Sequence, residues 1–175
     1  MGTDVEMWCE VKRDAWEQVS PPEEIAEIME CRNYTLFAVI AGVRADDRAE
    51  DCFPPISELK GIPVDASPAV REELGNDAEN EPVGWLSLRE LNEFDWSQTR
   101  QGRGYVVPEL VKYFEGNPLG FPDEVYSVSD SSRLGVEVRW RETAEQMAGG
   151  FYRKVIPWLR TLGDLDCVRI VFRFC

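Results

Sequence analysis

The chain of 175 residues carries 19 Lys and Arg against 33 Asp and Glu, a formal net charge of −14, and it contains no histidine. This charge repels phosphate backbones and disfavours direct nucleic-acid binding, while the lack of imidazole excludes Ser-His-Asp and Cys-His catalysis and histidine-ligated zinc. Hydrophobic residues at 43% predict a folded chain, and the length fits one globular domain over residues 1–175.

The N-terminal segment predicts a β-hairpin. Val5, Met7, Cys9 and Val11 alternate with the charged or aromatic side chains between them, the period of two that is typical of a strand with one face turned inward. Residues 12–15 then read as a turn and 15–19 as the returning strand. The prolines at positions 21 and 22 end this hairpin and precede a short acidic helix that we expect to run through position 29.

The next elements are predicted from capping signals. Residues 33–43 are apolar enough for a buried helix, which Gly42 would end. A charged loop follows over 44–55. Ser67 before Pro68 indicates a helix start, and Ser87 with Glu90 three residues later fits a capping box.

The second half predicts a strand at 136–140 and an amphipathic helix over 141–162, weakened at Gly149, Gly150 and Pro157. The segment Gly102-Arg103-Gly104 is interpreted as a flexible turn, because it is too short for a phosphate-binding loop. The apolar density of residues 167–174 predicts a terminal strand in the centre of the sheet. We therefore expect an α+β fold, with a small, mainly antiparallel sheet that includes the hairpin and the terminal strand, and helices on one side.

The cysteines and the hydropathy profile bear on the compartment. Five cysteines at irregular spacing, without a CxxC pair, favour reduced thiols over a disulfide framework or a zinc site. No apolar run approaches the ~20 residues that cross a membrane. We expect a cytoplasmic protein with no membrane partner.

Three carboxylates fall at even spacing in the first strand. Asp4, Glu6 and Glu10 would project from the same face of a regular strand, where they could hold Mg²⁺ or Ca²⁺. The alternative is a solvated face of a hairpin, and the spacing alone leaves both open. If the protein is an enzyme, these three are the candidate catalytic residues and Mg²⁺ the candidate cofactor; otherwise we expect no cofactor and no metal.

Arginine and aromatic side chains near the ends of predicted elements suit an anion or a nucleobase, since a guanidinium pairs with phosphate and an aromatic ring stacks on a base. Only their convergence in one pocket would distinguish such a site from ordinary ion pairs and core aromatics. The candidate ligand-binding residues are Arg32, Asn33, Tyr34, Arg44, Trp85, Arg139, Trp140 and Arg141, to which Asp4 and Glu6 are added.

Several short motifs follow one another along the chain: MGTDVE at 1–6, CE at 9–10, RNYTLF at 32–37, GVR at 42–44, GIPVDAS at 61–67, WLSL at 85–88 and VRIVF at 168–172. In this order they resemble a family of small phage and bacterial proteins of unassigned activity. Members of that family typically begin M-G-C/T-D-I-H and carry R-N/D-Y-x-L-F, R-G-L-P-x-D-x-S, H-S-H-S-W/Y-L-T-L and V-R-I-V-F.

This chain departs from the family pattern at its histidines. Glu6 stands where the family has histidine, and the segment EPVG at 81–84 replaces H-S-H-S. An aspartate and a histidine on a first strand, with an H-x-H motif on a loop, look like a transition-metal site. The resemblance therefore implies that Asp4 and Glu6 are the remains of a family site, converted to oxygen ligands or released from metal chemistry.

From the resemblance and the surviving arginine and aromatic residues, we expect a non-catalytic binding protein of phage type that sequesters a small nucleotide-derived ligand. That ligand would be a host immune signal, captured in the host cytoplasm. One alternative is a hydrolase or nuclease-like enzyme that uses the three carboxylates with a divalent metal. The other is an acidic DNA mimic that inhibits a host protein, and self-association into a homo-oligomer is left open.

Overall fold

The computed structural model describes residues 4–30, 32–43, 53–75, 81–129 and 131–175. The strands in these residues are β1 (Val5–Lys12), β2 (Trp16–Val19), β3 (Val83–Ser87), β4 (Thr99–Val106), β5 (Val136–Thr143) and β6 (Val168–Phe174). The α-helices are α1 (Glu23–Met29), α2 (Tyr34–Ala41), α3 (Pro68–Leu74), α4 (Leu88–Glu93), α5 (Ala144–Ala148) and α6 (Ile156–Arg160). Within the same described residues, 3₁₀ helices span Pro108–Phe114 and Ser132–Leu134, and a π-helical segment spans Phe151–Val155.

Four strands form an antiparallel sheet in the order β2-β1-β6-β3. The predicted hairpin is confirmed as β1 and β2, and the predicted terminal strand is confirmed as β6, which lies between β1 and β3. Strand β3 was not predicted, because it is short and contains Gly84. A Cβ atom at Gly84 would lie 2.7 Å from the Phe172 ring, so the glycine lets this ring lie across the strand.

One face of this sheet forms the main core. Met7 and Cys9 of β1 lie on it with Ile170 and Phe172 of β6, and all four are buried. Helices α1, α2, α4, α5 and α6 also contribute buried residues to this core. Helix α2 begins where the Asn33 side chain accepts a hydrogen bond from the Leu36 amide, and it ends at Gly42 in the left-handed conformation. The predicted buried helix is thereby confirmed.

The opposite face of the sheet is covered in part by α3. Val70 and Leu74 of this helix pack with Val83 of β3 and Val171 of β6 in a smaller apolar cluster. The α+β class is confirmed, with one correction to its detail: α3 lies on the other side of the sheet from the main group of helices. Its start is the predicted one, since the Ser67 side chain accepts from the Val70 amide.

A second, two-stranded sheet pairs β4 with β5 in antiparallel register. The expected turn at 102–104 is wrong, because these residues lie inside β4. Gly102 faces Trp140, and a Cβ atom at Gly102 would lie 2.6 Å from Cζ2 of its indole. The glycine therefore allows the indole to cover the neighbouring strand, a packing contact that the local sequence does not reveal.

The long helix expected over 141–162 is shorter and divided. Residues up to Thr143 belong to β5, and the helical region begins at α5 with a capping box between Thr143 and Gln146. Gly149 adopts a positive φ of 54° and separates α5 from the π-helical segment, which α6 follows directly. The predicted weakening at Gly149 is thus a break in the helix.

No helix in the described part of the chain is long and apolar enough to cross a membrane.

Candidate functional site

Glu6 and Glu10 lie on one face of β1, as their spacing predicts, and Asp4 directly precedes this strand, but each of the three carboxylates is bound to a different arginine. The pairs are Asp4 with Arg32, Glu6 with Arg173 and Glu10 with Arg169. Glu10 is 0% exposed, so it does not belong to a solvated hairpin face. Among the described residues, no group of three or more Asp, Glu, Cys or His side chains could hold a metal ion. The catalytic role considered for the three carboxylates stays a hypothesis.

Asp4 and Glu6 line a polar cleft of about 480 Å³ at one end of the sheet. The Arg32 guanidinium donates to both Asp4 oxygens, at 2.6 and 2.8 Å, and these hydrogen bonds lower the pKa of the Asp4 carboxyl. Arg173 bridges Glu6 and Glu81. Both candidate carboxylates in this cleft are therefore already engaged by guanidinium groups.

The other candidate arginines of the described residues line neither this cleft nor the two clefts described below. Arg139 and Arg141 are exposed on the face of β5 opposite Trp140, and Arg141 donates from Nε to the Asn117 carbonyl. Arg44 lies outside the described residues. Asn33 serves as the cap of α2, so its side chain has a structural role.

Tyr34 and Trp140 do come together, in a cleft of about 350 Å³ between the start of α2 and the second sheet. We call this the Tyr34–Trp140 cleft. Its other lining residues are Thr35, Arg100, Gly102, Arg103, Phe121, Tyr126, Ser127, Val128 and Glu142.

Trp85 lies in a different and larger cleft of about 680 Å³, which we call the Trp16–Trp85 cleft. Its other lining residues are Lys60, Ile62, Pro63, Val64, Asp65, Ser87, Glu90, Asp166 and Arg169. The sequence-predicted aromatic candidates are thus divided between two sites.

Two edge strands carry the tryptophans of the larger cleft, and the central strand carries the cation between them. Trp16 begins β2 and Trp85 is in β3, at opposite edges of the sheet. The Cζ atom of Arg169 lies 3.8 Å from the centroid of the Trp16 ring and 5.7 Å from that of Trp85. On Trp85, the Nζ atom of Lys60 lies 4.0 Å from the ring centroid. Cations stack favourably on indole faces, so both rings are held by contacts within the protein.

A buried ion pair forms the base of this cleft. Glu10 and Arg169 face each other in the register of β1 and β6, with Nε of Arg169 donating to Oε2 of Glu10 at 2.6 Å. Arg169 is 3% exposed, and its Nη1 donates to Asp65 at 2.7 Å. The other Asp65 oxygen accepts from the Trp16 indole at 2.8 Å. A charge this deeply buried is tolerated only when paired, so the network fixes Arg169 and orients Trp16.

The loop at the rim is anchored by its own set of hydrogen bonds. The second oxygen of Glu10 accepts from the Ser67 amide at 2.6 Å. Arg71 of α3 donates to the carbonyls of Pro63, Val64 and Ala66. These bonds hold Asp65 over Arg169 and leave the Val64 side chain almost fully exposed.

The carboxylates of the cleft are ionised and paired. Hydrogen bonding from Arg169 lowers the pKa of Asp65, and hydrogen bonding from Arg89 lowers that of Asp166. Burial opposes ionisation of Glu90, but hydrogen bonds from Lys60 and Ser87 outweigh it and lower its pKa as well. At neutral pH the cleft therefore presents fixed negative charges beside its two cations.

None of the free thiols in the described residues lines the Trp16–Trp85 cleft. Cys9 is buried in the main core, where desolvation raises its pKa to about 12. Cys167 and Cys175 are also unpaired, whereas Cys31 and Cys52 lie outside the described residues. A neutral, buried Cys9 is a packing residue and a poor nucleophile.

Sequence reasoning missed Trp16, Lys60 and Arg169. A signal for Arg169 was present, because an arginine inside the apolar segment 168–172 of a central strand requires a buried counter-ion. Glu10, the acidic residue in the predicted inward-facing hairpin strand, is that partner. Lys60 carried no comparable signal, since it reaches Trp85 from an irregular segment.

Comparison with known proteins gave no match to a family model, to a curated protein or to a solved structure. The phage-family resemblance of the short motifs therefore stays a hypothesis.

Proposed function

We propose that the protein binds the base of a small nucleotide-derived molecule in the Trp16–Trp85 cleft and holds it without turnover. The observation that carries this proposal is the pair of indole rings with the Arg169 guanidinium between them. Stacking of a base on an aromatic side chain contributes about 1–3 kcal/mol per base. A cleft of about 680 Å³ is in the range that accommodates small-molecule ligands.

A buried donor supports the same ligand class. Nη2 of Arg169 is buried and has no hydrogen-bond acceptor among the described residues. A buried donor without an acceptor costs free energy, and a ligand carbonyl or ring nitrogen would recover part of that cost. Nucleobases carry such acceptors on their edges.

The charges of the cleft restrict the ligand further. Lys60 and Arg169 face three carboxylates, Asp65, Glu90 and Asp166, so the lining is negative by one formal charge. A polyphosphate would be repelled here, whereas a nucleoside, or a nucleotide whose phosphate points to solvent, is compatible. In this proposal, base stacking replaces the pairing of arginine with phosphate that the sequence suggested.

The ionisation state of the carboxylates supports retention without turnover. Each carboxylate of the cleft has a lowered pKa and an established partner. A carboxylate with a lowered pKa is a weak general base, and it holds no proton to donate at neutral pH. Capture of a host immune signal is the biological role that the resemblance implies.

The proposal is tested by calorimetric titration of the protein with adenosine, guanosine, their monophosphates, cyclic dinucleotides and cyclic ADP-ribose isomers. We expect binding of at least one compound, weakened about 5- to 150-fold by Trp85→Ala, which corresponds to the loss of one stacked ring. Trp8→Ala is the matched control, because Trp8 and Trp85 flank Val171 on opposite sides in the sheet register, and Trp8 lies outside the cleft. No binding by the panel, or equal losses in both variants, would refute the proposal.

Turnover is tested on the same complexes. The protein is incubated with the bound compound and denatured, and the released molecule is identified by chromatography. We expect the intact compound in a molar amount no greater than that of the protein. A cleaved product in molar excess would instead support the metal-dependent enzyme, and Asp4 and Glu6 would then be the first residues to replace.

A further inference from the structure

The Tyr34–Trp140 cleft is separate from the site proposed above and is built from the second sheet. Trp140 of β5 lies across Gly102 of β4, and the glycine leaves room for the indole. Phe121 and Phe114 pack against the same indole, with ring centroids 5.1 and 5.9 Å away. The indole wall is therefore held in place on several sides.

Two further aromatic rings line this cleft and are accessible. Tyr34, the first residue of α2, is 39% exposed, and the Tyr126 side chain is fully exposed. Together with Trp140 and Phe121, these rings come from three separate parts of the chain. Such walls suit a flat ligand, because stacking requires only a planar π-face.

The indole N–H donor of Trp140 has no acceptor among the described residues. Trp140 is only 6% exposed, and its Nε1 atom is buried and makes no hydrogen bond in the described residues. Buried indole N–H groups usually find a partner, and leaving one unpaired costs free energy. This unpaired donor beside accessible aromatic rings calls for an acceptor that the described part of the chain does not supply.

We propose that the Tyr34–Trp140 cleft is a second small-molecule site, which binds a flat heteroaromatic compound whose edge carries a hydrogen-bond acceptor for Trp140. The volume of about 350 Å³ accommodates one fused ring system. Arg100 and Glu142 form an ion pair at the wall, and each offsets the charge of the other. Arg103 also lines the cleft, so the charged groups of the lining sum to one formal positive charge, and the acceptor for Trp140 rather than charge defines the ligand.

The test uses two ligands that differ in one acceptor. Indole has a ring N–H and no acceptor nitrogen, whereas 7-azaindole has the same shape with an added acceptor nitrogen. Each is titrated into the ¹⁵N-labelled full-length protein, whose six tryptophans give six indole N–H signals. We expect 7-azaindole to move the Trp140 indole signal downfield and to bind more tightly than indole.

Variants separate the hydrogen bond from the stacking. Trp140→Phe keeps an aromatic wall but removes the donor, so we expect it to weaken 7-azaindole binding roughly 2- to 12-fold and to leave indole binding unchanged. Tyr126→Ala removes a ring that is fully exposed, so the fold is retained, and we expect it to weaken both ligands alike. The loss of the Trp140 signal in the first variant also assigns that signal.

Three outcomes would overturn this inference: an unmoved Trp140 signal, equal affinity for the two ligands, or no effect of Trp140→Phe on 7-azaindole. A shift of the Trp85 signal alone would place the probes in the Trp16–Trp85 cleft. That result would reject the second site and leave the first proposal standing.

Discussion

The two faces of the four-stranded sheet have different chemistry although the same strands form both. On one face, Cys9, Ile170 and Phe172 belong to a continuous apolar core under the helices. On the other face, rows of residues run across the strands: Glu10–Arg169–Ser87, then Trp8–Val171–Trp85, then Glu6–Arg173–Val83. The first face is stabilised by apolar burial, whereas the second combines the smaller apolar cluster under α3 with two ion pairs on either side of an aromatic row. The candidate binding surface therefore requires each buried charge to have its own partner, whereas the core requires only apolar side chains that pack together.

The largest expected effect is on the apolar face. Ile170→Asp places an unpaired charge at a position with 0% exposure, and we expect a loss on the order of 5 kcal/mol or more, enough to prevent folding. Ile170→Val is the control, with an expected loss of about 1 kcal/mol. Thermal melts followed by circular dichroism measure both. An undisturbed melt for the aspartate variant would remove β6 from the core.

A smaller but still large effect is expected on the opposite face. Glu10→Gln keeps an oxygen for the Ser67 amide but removes the charge that balances Arg169. Breaking a buried pair from one side costs about 3–5 kcal/mol, and we expect the lower end because Asp65 still pairs with Arg169. Urea unfolding provides the measurement.

The double variant Glu10→Gln, Arg169→Met sharpens this prediction. Because it removes both charges, it should recover part of the stability lost by the single variant. If the double variant is as unstable as the sum of two independent losses, the pair is not coupled, and the account of this face is wrong.

The smallest effect concerns pH. Hydrogen bonding from Arg169 lowers the pKa of Asp65 in the folded protein. The ionised Asp65 carboxylate therefore stabilises the fold fully above its unfolded pKa of about 3.9. This contribution is lost as the pH falls through the lower pKa of the folded state. Asp65→Asn should therefore be less stable than the wild type at neutral pH. The difference should shrink as the pH is lowered below about 4.

Urea midpoints measured between pH 7 and pH 3 test this pH dependence. Val168→Ala, on the apolar face, is the control, because its loss comes from buried volume and should not change with pH. A constant difference between Asp65→Asn and the wild type across this range would show that Asp65 contributes no linked proton.

The sequence predicted a helix or strand correctly where the residues of that element indicate its structure by themselves. The alternation in β1, the capped apolar segment of α2 and the apolar density of β6 each indicate a structure without knowledge of partners. Strand β4 is different: its glycines and polar residues indicate a turn until Trp140 is known to lie across Gly102. Here a tertiary contact overrides the local preference.

The candidate site was predictable only in part, for a related reason. Trp85 was selected as an aromatic residue at an element boundary, but its partners come from β2, from β6 and from the irregular segment around Lys60. The register that sets Glu10 opposite Arg169 joins residues 159 positions apart. No local sequence pattern contains such a pairing, although an arginine inside the apolar strand β6 indicates that a buried carboxylate must face it.

The central position of β6 also has a consequence for the order of folding. Its two neighbours, β1 and β3, are synthesised long before it, so until β6 arrives the β1–β2 hairpin has an apolar face and an unpaired edge. Contacts between such distant segments require costly chain closure, and chains dominated by them fold slowly. We therefore expect a slow refolding step that forms the sheet and the Glu10–Arg169 pair together. During that interval, the exposed edge of the hairpin can pair with another unfolded copy of the chain.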